Sequence, residues 1–322
     1  MTTTWQSLSG TSFANPELSK QGRQVNEKIL TLLNVVDPAG DLFLGKKSGD
    51  TVAFRIYGRI AGESTTAIAE QDTIPFTDLP EFHGTGSVDR YGIAIRWTGE
   101  REDLDRLDTE SPIVNALREH NGRVESKLIY NELVAGRSFG YVPLTATTAD
   151  FQTDGTLGSA AAVPFTFWHA QNIAKNLIKN NTPFADGENY VCTSSTTMYF
   201  DMLMDREAQG FIDVKKYASG GAEGVLRNEK GMVGQLRLVL ENHTLDDGIG
   251  TGSAFGSGFV TGAEAIKELP VYPMELRATM DLGGDFANQK AIAWQMLKGF
   301  KVAFNFSTHG QGSVLHYATS GL

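Results

Sequence analysis

The hydrophobic pattern of this chain is clearest in two alternating runs. From Val52 the apolar or small residues Val52, Phe54, Ile56, Gly58 and Ile60 alternate with Ala53, Arg55, Tyr57 and Arg59. From Val88 the residues Tyr91, Ile93, Ile95 and Trp97 hold one phase, with Arg90 and Arg96 in the other. Period two is the signature of a half-buried strand. The 27 residues between the runs, 61 to 87, show no such pattern and contain no lysine or arginine. The reading is a long two-stranded ribbon with a large tip. The tip carries Glu63, Glu70, Asp72, Asp78 and Glu81, interspersed with apolar Ile68, Ile74, Phe76, Leu79 and Phe82.

Helical spacing appears elsewhere. Pro16 to Val36 reads as a helix, with Leu18, Val25, Ile29, Leu32, Leu33 and Val36 as its stripe and Asn15 before Pro16 as cap and first turn. The best-defined helix starts at Ser111 and Pro112 and ends before Gly136, with Ile113, Leu117, Val124, Leu128 and Ala135 along one face. At about 24 residues it would be roughly 36 Å long, and Arg118, Arg123 and Lys127 place basic groups along it. A second amphipathic helix is expected from about Thr166 to Asn180, with Ile173, Leu177 and Ile178 inward. "NYVCT" reads as a strand, "STTMYFDMLMDREAQG" as a helix and "GMVGQLRLVLEN" as one alternating strand. The stretch "YVPLTATTADFQTDGTLGSAAAVP" looks loop-like, and residues 248 to 262, with six glycines in 15, read as a flexible loop. The tail carries a helix-like "ANQKAIAWQMLKGF" and a strand-like "KVAFNF". The whole is α+β.

Composition narrows the function classes. Twenty-eight basic against 38 acidic residues give a net charge of −10, a poor basis for holding duplex nucleic acid by phosphate neutralisation. One cysteine, Cys192, excludes an intramolecular disulfide and a multi-cysteine metal site, and its neighbours "NYVCTSS" point to a buried structural thiol. The N-terminus lacks the charged and apolar regions of a signal peptide, and no apolar run approaches the roughly 18 residues that cross a membrane.

A search for chemistry finds little. The phosphate loop GxxxxGK[ST] and the G-x-S-x-G elbow are absent, and "GIGTGSAFGSG" has neither the register nor the context of a dinucleotide site. The histidines at 83, 120, 169, 243, 309 and 316 form no tight metal-binding spacing. Asp103, Asp105 and Asp108 in "GEREDLDRLDTESP" lack the glycine and final glutamate of a calcium loop and read as an acidic lead-in to a helix. No catalytic, cofactor-binding or metal-binding residue is nominated.

The order of parts, and the wording of three of them, resembles tailed-bacteriophage major capsid proteins, the Hong-Kong-ninety-seven-type fold. "GDTVAFRIYGRI…IAEQDTIP…VDRYGIAIRWTGE" resembles their extended loop, "GMVGQLRLVLEN" their G-x-x-G strand and "GGDFANQKAIAWQMLKGFKVAF" their C-terminal return. The resemblance runs over roughly Val25 to Phe306. It implies an N-terminal arm (1–45), an extended loop (46–100), a peripheral domain with a spine helix (101–162), an axial domain (163–280) and a return to the peripheral domain (281–322). It implies a non-enzymatic shell protein that forms homo-pentamers and homo-hexamers around double-stranded DNA. Such a protein is assembled in the host cytoplasm and resides in the virion, with separate scaffolding, portal and decoration proteins as its other partners and no membrane. The contact expected from sign is the acidic tip, Glu63, Glu70, Asp72, Asp78 and Glu81, against a neighbour's Arg118, Arg123 or Lys127. Some relatives crosslink through an extended-loop lysine. None lies between Lys47 and Lys127 here, so a noncovalent contact is implied. An encapsulin-like compartment shares the fold, and a β-rich soluble enzyme is the alternative from a different class.

Overall fold

A computed structural model describes residues 31–37, 51–58, 60, 65, 67–70, 72–104, 110–158, 163–204, 229–241, 243–245, 247–249, 255–279, 288–310 and 312–318. In chain order a 3-10 turn (Leu32–Val35) leads into β1 (Val36–Asp37), β2 (Thr51–Tyr57), β3 (Glu81–Ser87), β4 (Asp89–Thr98), α1 (Gly99–Leu104) and α2 (Glu110–Ala135). Then come β5 (Phe139–Thr145), β6 (Thr148–Gln152), α3 (Phe167–Lys179), β7 (Tyr190–Ser194), α4 (Thr196–Met204), β8 (Glu229–Val233) and β9 (Leu236–Leu240). The chain closes with β10 (Asp247–Ile249), β11 (Phe255–Thr261), β12 (Ile266–Thr279), β13 (Gln289–Val302), α5 (Phe306–His309) and β14 (Val314–Ala318).

Among the described residues three sheets form. A four-stranded sheet runs β1-β12-β13-β4, a larger one runs β6-β5-β14-β11-β7-β9-β8 with β10 on β11, and β2-β3 form a ribbon. The four-stranded sheet packs one face on α2. Trp97, Ile292, Trp294 and Met296 meet Ile113 and Leu117 there. The larger sheet buries Tyr141, Tyr190, Leu238 and Tyr317 against Ile173, Leu177, Met198 and Met202 of α3 and α4. A third cluster ties the two units together, with Ile129 and Leu133 of α2 against Phe259, Ile266, Phe300 and Val314. Leu32 lies fully buried in it.

Several expectations change. The ribbon partner of β2 is β3, not the alternating run that begins at Val88. That run becomes β4 and pairs with β13 over Asp89–Thr98. Glu81 and Phe82 therefore belong to a strand, and the tip narrows to residues 58–80. Glycine hid the strand. On β3 only Phe82 marks the inward phase, because Gly84 and Gly86 follow it, and a Cβ on Gly86 would lie 2.4 Å from Leu269. The helix-like tail segment is strand β13, and the glycine-rich segment supplies β11 at the middle of the larger sheet. A Cβ on Gly258 would lie 2.2 Å from the Tyr317 hydroxyl and 2.4 Å from the Thr193 carbonyl. Its missing side chain is a packing requirement rather than a sign of flexibility.

"GMVGQLRLVLEN" is a hairpin, β8 turning at Gly234 (φ 57°) into β9, and the loop-like stretch after Gly140 holds β5 and β6. Ile178 is exposed on α3, not inward. Near the N-terminus the described residues show a 3-10 turn and a short strand instead of the end of a helix. The remainder of that expected helix lies outside the described residues. The larger sheet draws strands from 139–152, 190–261 and 314–318, so divisions at 162 and 280 cut across it. β4 likewise leaves the 46–100 segment for the four-stranded sheet.

Candidate assembly surface

The ribbon is held against its own chain at both ends of its pairing. Antiparallel pairing from Thr51↔Ser87 to Tyr57↔Glu81 makes it about 23 Å long at 3.3 Å per residue. Ile56 is buried against Ala303, with Phe82 and Phe304 beside it. His309 meets Phe82 edge-on, with ring centroids 4.9 Å apart, and its Nδ1 accepts a hydrogen bond from the Asn305 amide at 3.0 Å. At the root, the end away from the tip, β3 lies so close to β13 that a Cβ on Gly299 would lie 2.1 Å from the Ser87 carbonyl.

Beyond Tyr57 the apolar side chains turn to solvent. Phe76 is 93 % exposed, Ile74 70 % and Leu79 53 %, with Ile60 and Ile68 about half exposed. Single exposed apolar residues are ordinary, but several on one projecting segment mark a surface that loses water only on docking. Glu70, Asp72 and Asp78 are exposed among them. Glu63 lies outside the described residues. Glu81 is engaged within its own chain, 3.3 Å from Arg55 on β2.

The basic groups expected to receive the tip divide. Arg118 is exposed on α2. Lys127 is exposed but sits over the Tyr130 ring, 4.4 Å from its centroid. Arg123 is half-buried with interactions inside its own chain. Beside it, burial and then the Arg123 charge hold the His120 imidazole below its usual range. These groups share α2 with Glu110, Glu119, Glu125 and Glu132, so the helix offers no net positive charge.

Charged groups also knit the framework. Lys298 on β13 lies 2.8 Å from Glu125 of α2 and 2.8 Å from Glu268 of β12, with 12 % of its side chain exposed. Glu102 accepts hydrogen bonds from Lys290 at 2.8 Å and from the Trp97 indole at 3.1 Å, and these two bonds hold its carboxyl below the usual range. The fully buried Glu241 carboxylate accepts from the Thr31 amide at 2.6 Å, the Thr31 hydroxyl at 2.7 Å and the His243 amide at 3.1 Å. It thereby pins the segment before β1 to the end of β9. Sequence periodicity does not register Lys298–Glu125, Lys290–Glu102 or Thr31–Glu241, because each joins residues far apart in the chain.

Among the described residues no group of three His, Cys, Asp or Glu side chains is placed to hold a metal ion, and no helix is long and apolar enough to cross a membrane. Cys192 is buried, with its thiol pushed up to about 12 by burial, although the Tyr317 hydroxyl 3.4 Å away acts in the opposite sense. One cleft, between α3 and the β8–β9 turn, is lined by Ala174, Lys175, Ile178 and Gln235. A second, at the ribbon root, is lined by Asp89, Tyr91, Glu132 and Lys298.

No protein-family model and no curated protein matches the sequence. Solved structures do match the fold. The Cyanophage Pam1 capsid asymmetric unit aligns over 97% of this chain and 98% of its own, with TM-score 0.67 and 11% identity. A Mycobacterium phage Che8 structure aligns over 95% and 97%, with TM-score 0.63 and 16% identity. The capsid of Ralstonia phage GP4 aligns over 97% and 98%, with TM-score 0.64 and 14% identity. Along nearly its whole length, the chain has the α+β fold of phage major capsid proteins.

Proposed function

We propose that this protein is a phage major capsid protein, a structural subunit that self-assembles into pentamers and hexamers of an icosahedral shell around double-stranded DNA. The observation that carries this reading is the ribbon, anchored along its paired strands yet ending in an exposed apolar and acidic tip, on a fold that matches phage capsid structures end to end. Isolated two-stranded ribbons are marginal in water, and this one gains its full support when the tip lies on a neighbouring copy. Apolar residues lose water on docking, while Glu70, Asp72 and Asp78 choose the partner and the register. The contact is noncovalent. The net charge of −10 suits an inner wall along which packed DNA slides. The subunit performs no catalysis; its home is the virion, and scaffolding, portal and decoration functions belong to other proteins.

Negative-stain microscopy and gel filtration of the purified protein test the reading. Megadalton shells are expected, and a monomer or small oligomer at all concentrations refutes it. Shells that carry an enzyme instead of a genome would turn the assignment to a cargo compartment. Glu70→Lys combined with Asp72→Lys is expected to cut particle yield sharply. Normal shells from that double variant would remove the tip from the assembly contact.

A further inference from the structure

Strand β12 runs to Thr279, yet β1 covers its outer edge only at Ile266 and Lys267. β13 occupies the other edge along the whole strand. Among the described residues no strand lies on the outer edge from Glu268 to Ala278. Folded chains usually blunt such an edge, and the first half is blunted here, because Pro270 and Pro273 carry no amide hydrogen. The second half, Met274 to Ala278, has no proline. Leu276 is 37 % exposed there, and Arg277 and Ala278 are exposed beside it. Pairing with β13 fixes the two sides. Leu276 stands opposite Trp294, which packs on α2, so Met274, Leu276 and Ala278 lie on the α2 side and Glu275 and Arg277 on the other.

We propose that this edge pairs with the same edge of a second copy of the chain, antiparallel about a two-fold axis through Leu276, joining two four-stranded sheets into one of eight strands. The stretch from Met274 to Ala278 is self-complementary in this register. Each Glu275 stands opposite the other copy's Arg277, Met274 opposite Ala278, and Leu276 opposite its own counterpart. Centring the pair on Glu275 or on Arg277 would set like charges directly opposite, which is destabilising. Centring it between two residues would set a charged side chain against Leu276 and put the two α2 helices on opposite sides of the joined sheet. Within one chain Glu275 and Arg277 already lie 3.1 Å apart, with 38 % and 61 % of their side chains exposed. The two-fold gives each a second partner and sets the charges in alternation. Exposed ion pairs contribute little attraction, so they choose the register, while the backbone and Leu276 supply the rest. Five residues are about 16 Å of strand, and pairing them adds about four to six backbone hydrogen bonds. On the α2 side the cross-strand row of Ile93, Trp294 and Leu276 continues across the axis. The inference goes beyond the shell reading, since it names a link between copies in which the ribbon takes no part.

Oxidative crosslinking of the full chain with diamide tests the pairing. Leu276→Cys places two thiols opposite each other with Cα atoms about 4.5–5.5 Å apart, within the range a disulfide spans. Cys192 is buried, and the unmodified chain is the control. The Leu276→Cys chain should run as a dimer on a denaturing gel. Chains with Glu275→Cys and chains with Arg277→Cys should link when mixed but not when oxidised separately. Successive pairs alternate between hydrogen-bonded and more closely spaced open sites, so one of the two designs always falls on the closer geometry. Charge supplies an independent readout. In the Leu276→Cys chain, adding either Arg277→Glu or Glu275→Arg should slow linking about tenfold, because like charges then face each other. Mixing those two variants should restore the rate, which a role confined to one chain would not do. No link in either design, or no recovery on mixing, overturns the pairing. Shells from the unmodified chain without the link would refute this edge and leave the shell reading standing. The link without shells would refute the shell reading and keep the edge.

Discussion

Replacing Lys298 by methionine removes the group that joins three elements at once. Its ammonium lies 2.8 Å from Glu125 on α2 and 2.8 Å from Glu268 on β12. Side-chain exposures of 12 %, 10 % and 23 % leave little water to take over. Methionine fills much of the volume, so the loss is mainly electrostatic. Two carboxylates are left in a largely dry site, and breaking a buried pair in this way costs about 3–5 kcal/mol. For 322 residues, at about 2.1 cal/mol/K of unfolding entropy per residue, that lowers the melting midpoint by about 4–7 °C. Differential scanning calorimetry of unassembled subunits gives the readout. Adding Glu125→Gln and Glu268→Gln to Lys298→Met should recover most of the loss, because no buried charge then remains. Burial pushes the Lys298 ammonium down, but the hydrogen bonds it donates to Glu125 and Glu268 outweigh that and hold the pKa above its ordinary value. The folded state therefore binds the proton more tightly, and its contribution is complete below about pH 10.4, the ordinary lysine value, and declines as pH rises above that. A Lys298→Met loss below about 1 kcal/mol, or a triple variant no better than the single one, would refute the reasoning.

Further outcomes follow from single residues. Gly258→Val should abolish soluble folded protein, since the new side chain meets the Thr193 carbonyl in the middle of the larger sheet; Gly234→Ala, in open space at φ 57°, should cost only about 1 kcal/mol by thermal melting. Burial, then the nearby Arg137 charge, pushes the His316 imidazole down to about 3. The unfolded chain therefore binds the extra proton between about pH 3 and 6.5 and stability falls as pH falls, by about 2 kcal/mol at pH 5. His316→Gln, which keeps an acceptor for Arg137, should flatten that pH profile, and an unchanged profile would refute the assignment.

Local pattern made some elements legible. The stripe of Ile113, Leu117 and Leu128 marked α2 to within a residue or two. Thr166 and Asn180 bracketed α3 at its observed caps. "NYVCT" marked a strand that the structure buries completely. Other misreadings share a cause. β13 has good helix formers, yet Ile292, Trp294 and Met296 alternate into the α2 contact, and pairing on both sides overrides propensity. For the candidate surface, the acidic, lysine-free tip could be read directly. The open edge of β12 could not, because which edge of a strand stays uncovered depends on where β1 and β13 lie.

What the sequence alone determined is the run of half-buried strands, the long helix, the buried thiol and an acidic, lysine-free projection, all properties of residues close in the chain. Only the tertiary structure decided that β2 pairs with β3, that a glycine-rich stretch runs through the middle of a sheet, and that Lys298 joins two distant carboxylates. Periodicity reports which side of an element is apolar, whereas strand partners and buried charges are chosen by contacts between residues tens to hundreds of positions apart.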